Sequence, residues 1–268
     1  MTAAAQERAG GARPRAAATR MKFYLTVSVT FVVLMAVWEV AGRAINPLFF
    51  APPSEVVAEL VKALADPRAR LLHGLLETLA VLLPGFLIAS VGGVAIGAAM
   101  GRRELVYQAL DPYVTIFYNT PRVVLIPVFM LWLGTGVLMK IVVVVLAAIF
   151  PVIVNTVAGV RDVSAQLTEP ARSLRATERQ LMIKVILPAS LPFIIAGIKL
   201  GLGRAITTVV VAELFVSVSG LGGLLHAAGS TYQMAKMLVP AIILAGLGIA
   251  VDGLLSKIER ASARWYGG

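Results

Sequence analysis

The feature that most constrains this chain is a run of twenty residues without a charge, 141–160, with Lys140 and Arg161 on either side. A helix that spans a bilayer needs about 20 mainly apolar residues. The composition fits such spans, because 59% of the 268 residues are hydrophobic and only 14% are charged, whereas soluble domains carry about 25% charged residues. These values exclude an ordinary soluble enzyme and predict an all-α integral membrane protein.

Five further apolar segments complete a predicted bundle of six transmembrane helices. The segment 191–218 has the weakest hydropathy signal, because it contains Lys199, Arg204 and Glu213. The remaining four predicted spans are 22–38, 78–101, 123–139 and 237–251.

The basic residues predict the orientation of these spans. If the N-terminus is inside, the inner segments hold fifteen of the 24 Lys and Arg residues and the outer segments hold six. Cytoplasmic loops carry such an excess, so we expect both termini to be cytoplasmic. Residues 1–22 are predicted to be a disordered basic tail, 23–260 a transmembrane domain, and 261–268 a cytoplasmic C-terminal tail.

A polar loop at about 161–190 separates two of the predicted spans. Thr168 is a good N-cap for a first short helix, with Glu169 and Pro170 in its first turn. A second short helix is predicted over 178–186, and Pro188 is expected to end it. Two amphipathic helices packed across the ends of the spans form a rigid body on which another protein can push. The loop holds no catalytic constellation.

This loop resembles the cytoplasmic signature of the permeases of bacterial ABC importers. That signature is Glu-Ala-Ala, three residues, Gly, nine residues, Ile, one residue and Leu-Pro. When the glutamate of the signature is aligned with Glu169, the chain matches at Glu169, Ala171, Leu187 and Pro188. Val185 stands at the position of the isoleucine.

The chain departs from the signature at two positions, Pro170 in place of alanine and Arg175 in place of glycine. In the family, the glycine marks a tight turn between the two short helices. Arg175 therefore either adopts a left-handed conformation at some cost, or the two helices are joined differently.

The resemblance covers nearly the whole chain from Phe23 onward. Four further segments resemble the nitrate, sulfonate and taurine branch of the family: Pro52-Pro53-Ser54-Glu55-Val56, Asn119-Thr120-Pro121-Arg122, Asn155-Thr156-Val157-Ala158-Gly159 and Val210-Val211-Ala212-Glu213-Leu214. The resemblance implies the six-helix type I importer permease fold, with cytoplasmic coupling helices, in the bacterial inner membrane.

The resemblance also implies partners. A second permease copy forms a homodimer around a central pathway, and two cytoplasmic ABC ATPase subunits grip the coupling loops. A periplasmic or lipid-anchored solute-binding protein delivers the solute, membrane lipid surrounds the spans, and no nucleic acid is involved. Because Gly134-Thr135-Gly136 and Gly201-Leu202-Gly203 lack the rest of a phosphate-binding loop, ATP and Mg are expected on the ATPase. The chain is expected to be a transport subunit without a cofactor, not an enzyme.

Several polar residues inside the spans are candidates for the translocation pathway. Arg204 lies about 18 Å into its predicted span, where a charge is costly; it either lines the pathway and attracts an anion or pairs with Glu213. Glu213 and Asn155 either bond within the bundle or contact the solute. The segment Asn119-Thr120-Pro121-Arg122 is either a helix break that lines the pathway or a plain loop.

Glycines recur every four residues at Gly93, Gly97 and Gly101, and again at Gly197 and Gly201. Small residues at this spacing let helices approach closely, either between two subunits or within one. His73 and Glu77 are four residues apart, but a metal site needs more ligands, so none is expected.

Together these observations predict import of a small anion, such as an alkanesulfonate, taurine or nitrate, by alternating access. Glu169 would dock in the ATPase, while Ala171 and Leu187 pack. A vitamin precursor or an aromatic acid is an alternative solute. A self-sufficient ion-coupled carrier or channel is an alternative class, although the chain shows no clear internal repeat. A membrane-embedded enzyme would need clustered acids, His or Ser, which this sequence lacks.

Overall fold

The computed structural model describes residues 12–66, 70–163, 165–216 and 219–266, and every regular element in these ranges is a helix. The long helices are α1 (Ala12–Ala44), α3 (Leu71–Arg102), α6 (Val137–Asp162), α10 (Leu191–Val216) and α12 (Met234–Tyr266). The shorter ones are α2 (Pro53–Ala65), α4 (Glu104–Asn119), α5 (Ile126–Leu133), α7 (Ala165–Ser173), α8 (Glu178–Leu181), α9 (Leu187–Ala189) and α11 (Gly220–Ser230). By length and composition, the five long helices can cross a membrane.

The predicted continuous span 123–139 is wrong. The chain there forms a 3₁₀ turn followed by the short α5, and the segment Arg122–Leu133 is bent by 91° from α4. Pro121 precedes the turn, and Gly134 ends α5 with a φ of 72°. Proline and left-handed glycine both stop a helix, so an apolar run long enough to span is divided into two pieces.

A stripe of glycines brings α3 and α6 into close contact. A Cβ added at any of four glycines of α3 would lie 2.7 Å from a side-chain atom of α6. In chain order, the pairs are Gly85 with Val144, Gly93 with Val152, Gly97 with Thr156, and Gly101 with Val160. Both members of the pairs advance together, so α3 and α6 run parallel and adjacent over five turns.

Helix α10 packs against the other side of α6 in the opposite direction. A Cβ on Gly197 would lie 2.8 Å from the Cβ of Asn155, and one on Gly201 would lie 2.9 Å from the carbonyl oxygen of Ala148. These three helices form the centre of the bundle, with a core of Val81, Leu82, Ala89, Val144, Ala148, Ala205 and Val209.

Helix α1 joins this bundle through contacts near its C-terminal end. The Trp38 indole donates to the Ala51 carbonyl (3.1 Å), and the Glu39 carboxylate accepts hydrogen bonds from the backbone N–H and hydroxyl of Ser54 in the first turn of α2 (3.1 and 2.7 Å). Residues 21–34 of the same helix are exposed on every side.

The structure has helix in the described parts of both predicted tails, and only the N-terminal one was predicted to be disordered. Helix α1 begins at Ala12, inside the segment 1–22 that was expected to be disordered, while residues 1–11 lie outside the described ranges. Helix α12 continues to Tyr266, through most of the segment 261–268, and the final two residues are outside the described ranges.

Candidate functional site

Helices α7, α8 and α9, residues 165–189, form a compact polar unit that we call the elbow. Its first turn is closed by Arg175, which has a φ of 58°. The Ala176 N–H donates to the Ala171 carbonyl (3.0 Å) and the Arg175 N–H donates to the Arg172 carbonyl (2.9 Å). This pair of bonds is the Schellman arrangement that ends helices on a left-handed residue. Arg175 therefore takes the left-handed conformation in place of the family's glycine.

The first helix of the elbow begins earlier than predicted. Helix α7 starts at Ala165, so the expected N-cap at Thr168 is wrong, and Glu169 and Pro170 lie within the helix. Both residues are exposed. The earlier start leaves the Glu169 carboxylate facing outward on a formed helix.

The second helix of the elbow starts with a capping box that the sequence analysis missed. The Gln180 N–H donates to the Thr177 hydroxyl (3.3 Å) and the Thr177 N–H donates to the Gln180 side chain (2.8 Å). The pattern Thr-x-x-Gln was the available signal. Beyond α8 the chain makes a π-turn at Met182–Ile186 and continues into α9, so the expectation that Pro188 ends the helix is also wrong.

The elbow is packed onto the ends of α3 and α6. Leu181 and Ile186 are 1% and 4% exposed and contact Ala98 and Val160. Partly buried side chains surround this contact: Val163, Ala171, Met182, Val185 and Leu187. Apolar burial of this kind favours one fixed position of the elbow on the bundle.

An ion pair at the same end adds to this attachment. The Arg102 guanidinium, in the last turn of α3, pairs with the Glu178 carboxylate of α8. The outer surface of the elbow, in contrast, leaves Leu174 and Ile183 84% and 53% exposed beside polar groups. The elbow thus has an attached face and a free face that carries apolar side chains.

A groove of about 450 Å³ opens on the side of the bundle, where the break after α4 meets α10. Its described lining holds three cations and no carboxylate. The lining residues are Arg122, Val123, Lys199, Leu200, Gly203, Arg204, Thr207 and Thr208. Such a surface favours anions.

The three cations of the groove have different surroundings. The Arg122 guanidinium donates to the carbonyl oxygens of Phe117 (3.0 Å) and Tyr118, at the end of α4. The Lys199 ammonium pairs with the Glu259 carboxylate (2.7 Å). The Arg204 guanidinium lies 5.0 Å from the centre of the Tyr118 ring.

The other residues of the predicted helix break do not line this groove. The Asn119 amide donates to the Thr115 carbonyl and the Thr120 hydroxyl donates to the Ile116 carbonyl, both at 2.8 Å. Pro121 is the residue before the 3₁₀ turn. Asn119, Thr120 and Pro121 shape the helix break, and Arg122 is the one residue of the segment 119–122 that lines the groove.

Glu213 and Asn155 also lie outside the lining of the groove. Glu213 is fully buried: the Thr78 hydroxyl lies 2.9 and 3.0 Å from its two oxygens, and the Gly222 N–H donates to it (2.9 Å). The Asn155 amide donates to the Pro151 carbonyl (2.8 Å). For both residues, the structure has the hydrogen bonds within the bundle that buried polar groups require.

Glu213 belongs to a polar cluster that was not predicted from the sequence. The Leu221 N–H donates to the Thr78 hydroxyl (2.9 Å), and the Gly220 N–H donates to Glu77 (2.7 Å). Lys140, only 4% exposed, donates to the Ser219 hydroxyl (2.6 Å). The cluster fixes the start of α11 to α3 and α10 at the end of the bundle opposite the elbow. The bonds that join Thr78 and Glu77 to the other members span 135 to 143 residues, so no local pattern signals the cluster.

Among the residues that the structure describes, no group of three His, Asp or Glu side chains is arranged to hold a metal ion.

Comparison with known proteins identifies the class to which this bundle belongs. Residues 89–264 match the family of binding-protein-dependent transport system inner membrane components. The chain belongs to this family: it is a multi-pass inner-membrane protein and the permease subunit of an ABC importer, and it is not an enzyme.

Two relatives and one solved structure are similar to this chain over most of its length. The chain is 31% identical to the taurine transport system permease protein of Escherichia coli K12, over 91% of this chain and 90% of the relative. It is 34% identical to a putative aliphatic sulfonates transport permease protein of Bacillus subtilis 168, over 87% and 84%. An inward-facing structure of the MetNI methionine ABC transporter has the same fold, with a TM-score of 0.62 and 24% identity over 72% of this chain and 95% of that one.

Proposed function

We propose that this permease moves a small anionic solute, of the alkanesulfonate, taurine or nitrate class, across the inner membrane by alternating access. The names of the two relatives, taurine and aliphatic sulfonates, support this class of solute. So does the groove, because its described lining holds Arg122 and Arg204, a third cation that is paired with Glu259, and no carboxylate. In this proposal, Arg122 and Arg204 line the pathway.

The observation that carries the mechanism is the attachment of the elbow to the bundle. Leu181 and Ile186 are buried against the ends of α3 and α6, and Glu178 pairs with Arg102. A displacement of the elbow therefore moves α3 and α6, which the glycine stripe holds together. We infer that the elbow is the cytoplasmic coupling unit, on which an ATPase acts.

The proposed assembly contains two copies of this chain, two ATPase subunits that bind ATP and Mg, and a solute-binding protein on the outer face. In each copy, six crossings are proposed. Because α3 and α6 run parallel and side by side, the chain between them must return across the membrane, which makes the bent pair α4–α5 the sixth crossing.

Glu169 is proposed to dock in the ATPase. Replacement of Glu169 by lysine reverses an exposed charge on the free face of the elbow, so folding and dimerisation should be retained while coupling is lost. The matched control is Glu55→Lys, which reverses an exposed charge on α2 at the opposite end of the bundle.

The measurements are ATP hydrolysis stimulated by the solute-binding protein and uptake of labelled taurine, methanesulfonate and nitrate, both in proteoliposomes with the complete complex. We expect Glu169→Lys to abolish both and Glu55→Lys to retain stimulated hydrolysis. Unaltered uptake by the Glu169→Lys complex would contradict the proposed coupling.

A further inference from the structure

Two of the three cations in the groove are already engaged within the protein. Lys199 is neutralised by Glu259 (2.7 Å) and also donates to the Ser256 hydroxyl (2.8 Å). Arg122 donates to two backbone carbonyls at the end of α4, where a cation complements the negative end of the helix dipole. Both side chains therefore stabilise contacts between parts of the fold.

Arg204 has no such engagement. It makes no hydrogen bond or ion pair with any residue that the structure describes, and its contact is the face of the Tyr118 ring at 5.0 Å. It lies at the midpoint of α10, half-buried, and it repels the charge of Arg122. A charge at such a depth is costly, and among the described residues only the face of the Tyr118 ring offsets part of that cost.

The surroundings of Arg204 leave room for a ligand. A Cβ on the neighbouring Gly203 would meet no atom within 4 Å, and Thr207, one turn further along α10, also lines the groove. A guanidinium presents a planar pair of N–H donors that matches two oxygens of an oxyanion.

We propose that Arg204 is the residue that binds the transported anion, through two oxygens of a sulfonate or nitrate group. Tyr118 positions the guanidinium from behind, and Lys199 takes no part in binding. This proposal rests on the proposed function, because it assigns the specificity-determining residue of the same groove.

The test is anion binding by the full-length chain in phosphatidylcholine nanodiscs, whose neutral lipid supplies no anionic headgroup as a competing ligand. Thermal unfolding is followed as sodium methanesulfonate or sodium nitrate replaces sodium chloride at constant ionic strength. The variants are Arg204→Gln, Arg204→Lys and the double variant Lys199→Gln/Glu259→Gln, which removes the ion pair without changing the net charge.

We expect a saturable stabilisation of the unsubstituted protein by both anions. Arg204→Gln should weaken it at least tenfold in apparent affinity, because a charge-assisted pair of bonds is lost, while the double variant should keep it within about twofold. Arg204→Lys should have an intermediate apparent affinity, because lysine keeps the positive charge but lacks the planar pair of N–H donors of the guanidinium. In the absence of ligand, Arg204→Gln should unfold at the same or a higher temperature, since it removes an unpaired charge.

Unchanged binding by Arg204→Gln, loss of binding in the double variant, or no anion-specific stabilisation of the unsubstituted chain would each overturn the assignment. Failure of the coupling mechanism is separate, because the Glu169→Lys experiment measures ATP hydrolysis and does not depend on Arg204.

Discussion

A single arginine decides the shape of the elbow's first turn. Arg175 is held at a φ of 58° by two hydrogen bonds that close the end of α7. Residues with a Cβ disfavour this region by roughly 1–2 kcal/mol, so the fold tolerates a local cost at the position that aligns with the glycine of the signature. The cost is confined to a surface turn, and the elbow keeps its packing on α3 and α6.

Replacing Arg175 by glycine should therefore stabilise the turn, by about 1 kcal/mol less the entropy that glycine adds to the unfolded chain. Hydrogen exchange at the Ala176 amide, which donates to Ala171, should slow. The control is Arg179→Gly, inside the helical segment that follows Thr177, where glycine should cost about 1 kcal/mol. Faster exchange in Arg175→Gly would show that the left-handed arginine is not strained.

At the scale of single residues, the sequence shows which charged side chains are unusual better than it shows which residues those side chains contact. The cost of a charge deep in a span singled out Arg204, and the polar interruption of an apolar region singled out Arg122; both line the groove. Lys140 flanks the apolar run 141–160, and the sequence does not indicate that its side chain is almost wholly buried and donates to Ser219. Thr78, which bonds to Glu213, lies on α3, 135 residues away in the chain, and such a pairing arises only when the helices assemble.

Among the elements, the contact of α3 with α6 is the tightest constraint on the bundle. A Cβ on Gly97 would lie 2.7 Å from Thr156 and 2.8 Å from the Ile153 carbonyl oxygen, and the second of these is backbone that cannot turn away. The side of α3 next to this stripe is more permissive, because a Cβ on Gly92 would lie 3.6 Å from Ile149.

Gly97→Ala should therefore separate the two helices and destabilise the protein by about 1–3 kcal/mol, as overpacking does. Gly92→Ala, one turn away, should be neutral or stabilising by up to about 1 kcal/mol, since alanine favours helix. Thermal unfolding of the two purified variants in the same detergent gives the comparison. Equal stability of both would mean that α3 and α6 are not in close contact at Gly97.

The helix break after α4 shows why hydropathy alone misplaced a span. The run 123–139 is uncharged and long enough, and a sliding window does not register that Pro121 precedes it and that Gly134 turns the chain inside it. The glycine repeats, which depend on spacing and not on average hydropathy, located surfaces of close helix approach.

At the scale of the whole molecule, the two ends of the bundle differ in chemistry. The elbow, the Arg102–Glu178 pair and the Lys199–Glu259 pair lie at one end. The buried cluster around Glu213 and the start of α11 lie at the other. From the excess of basic residues, we expect the first end to face the cytoplasm.

This orientation can be measured directly, because the chain has no cysteine. We expect a membrane-impermeant maleimide to label Thr231→Cys, which is exposed at the end of α11, on intact spheroplasts. Ser173→Cys, exposed on the elbow, should react only after the membrane is permeabilised. The reverse pattern would place the elbow outside and contradict both the orientation and the coupling mechanism.

The one-sided attachment of α1 has a consequence for the molecule's surroundings. Its contacts lie near Trp38 and Glu39, whereas the side chains of residues 21–34, most of them apolar, are exposed on every side of the helix. Acyl chains or another polypeptide must therefore solvate that stretch. The thickness and composition of the bilayer therefore act directly on this stretch of α1.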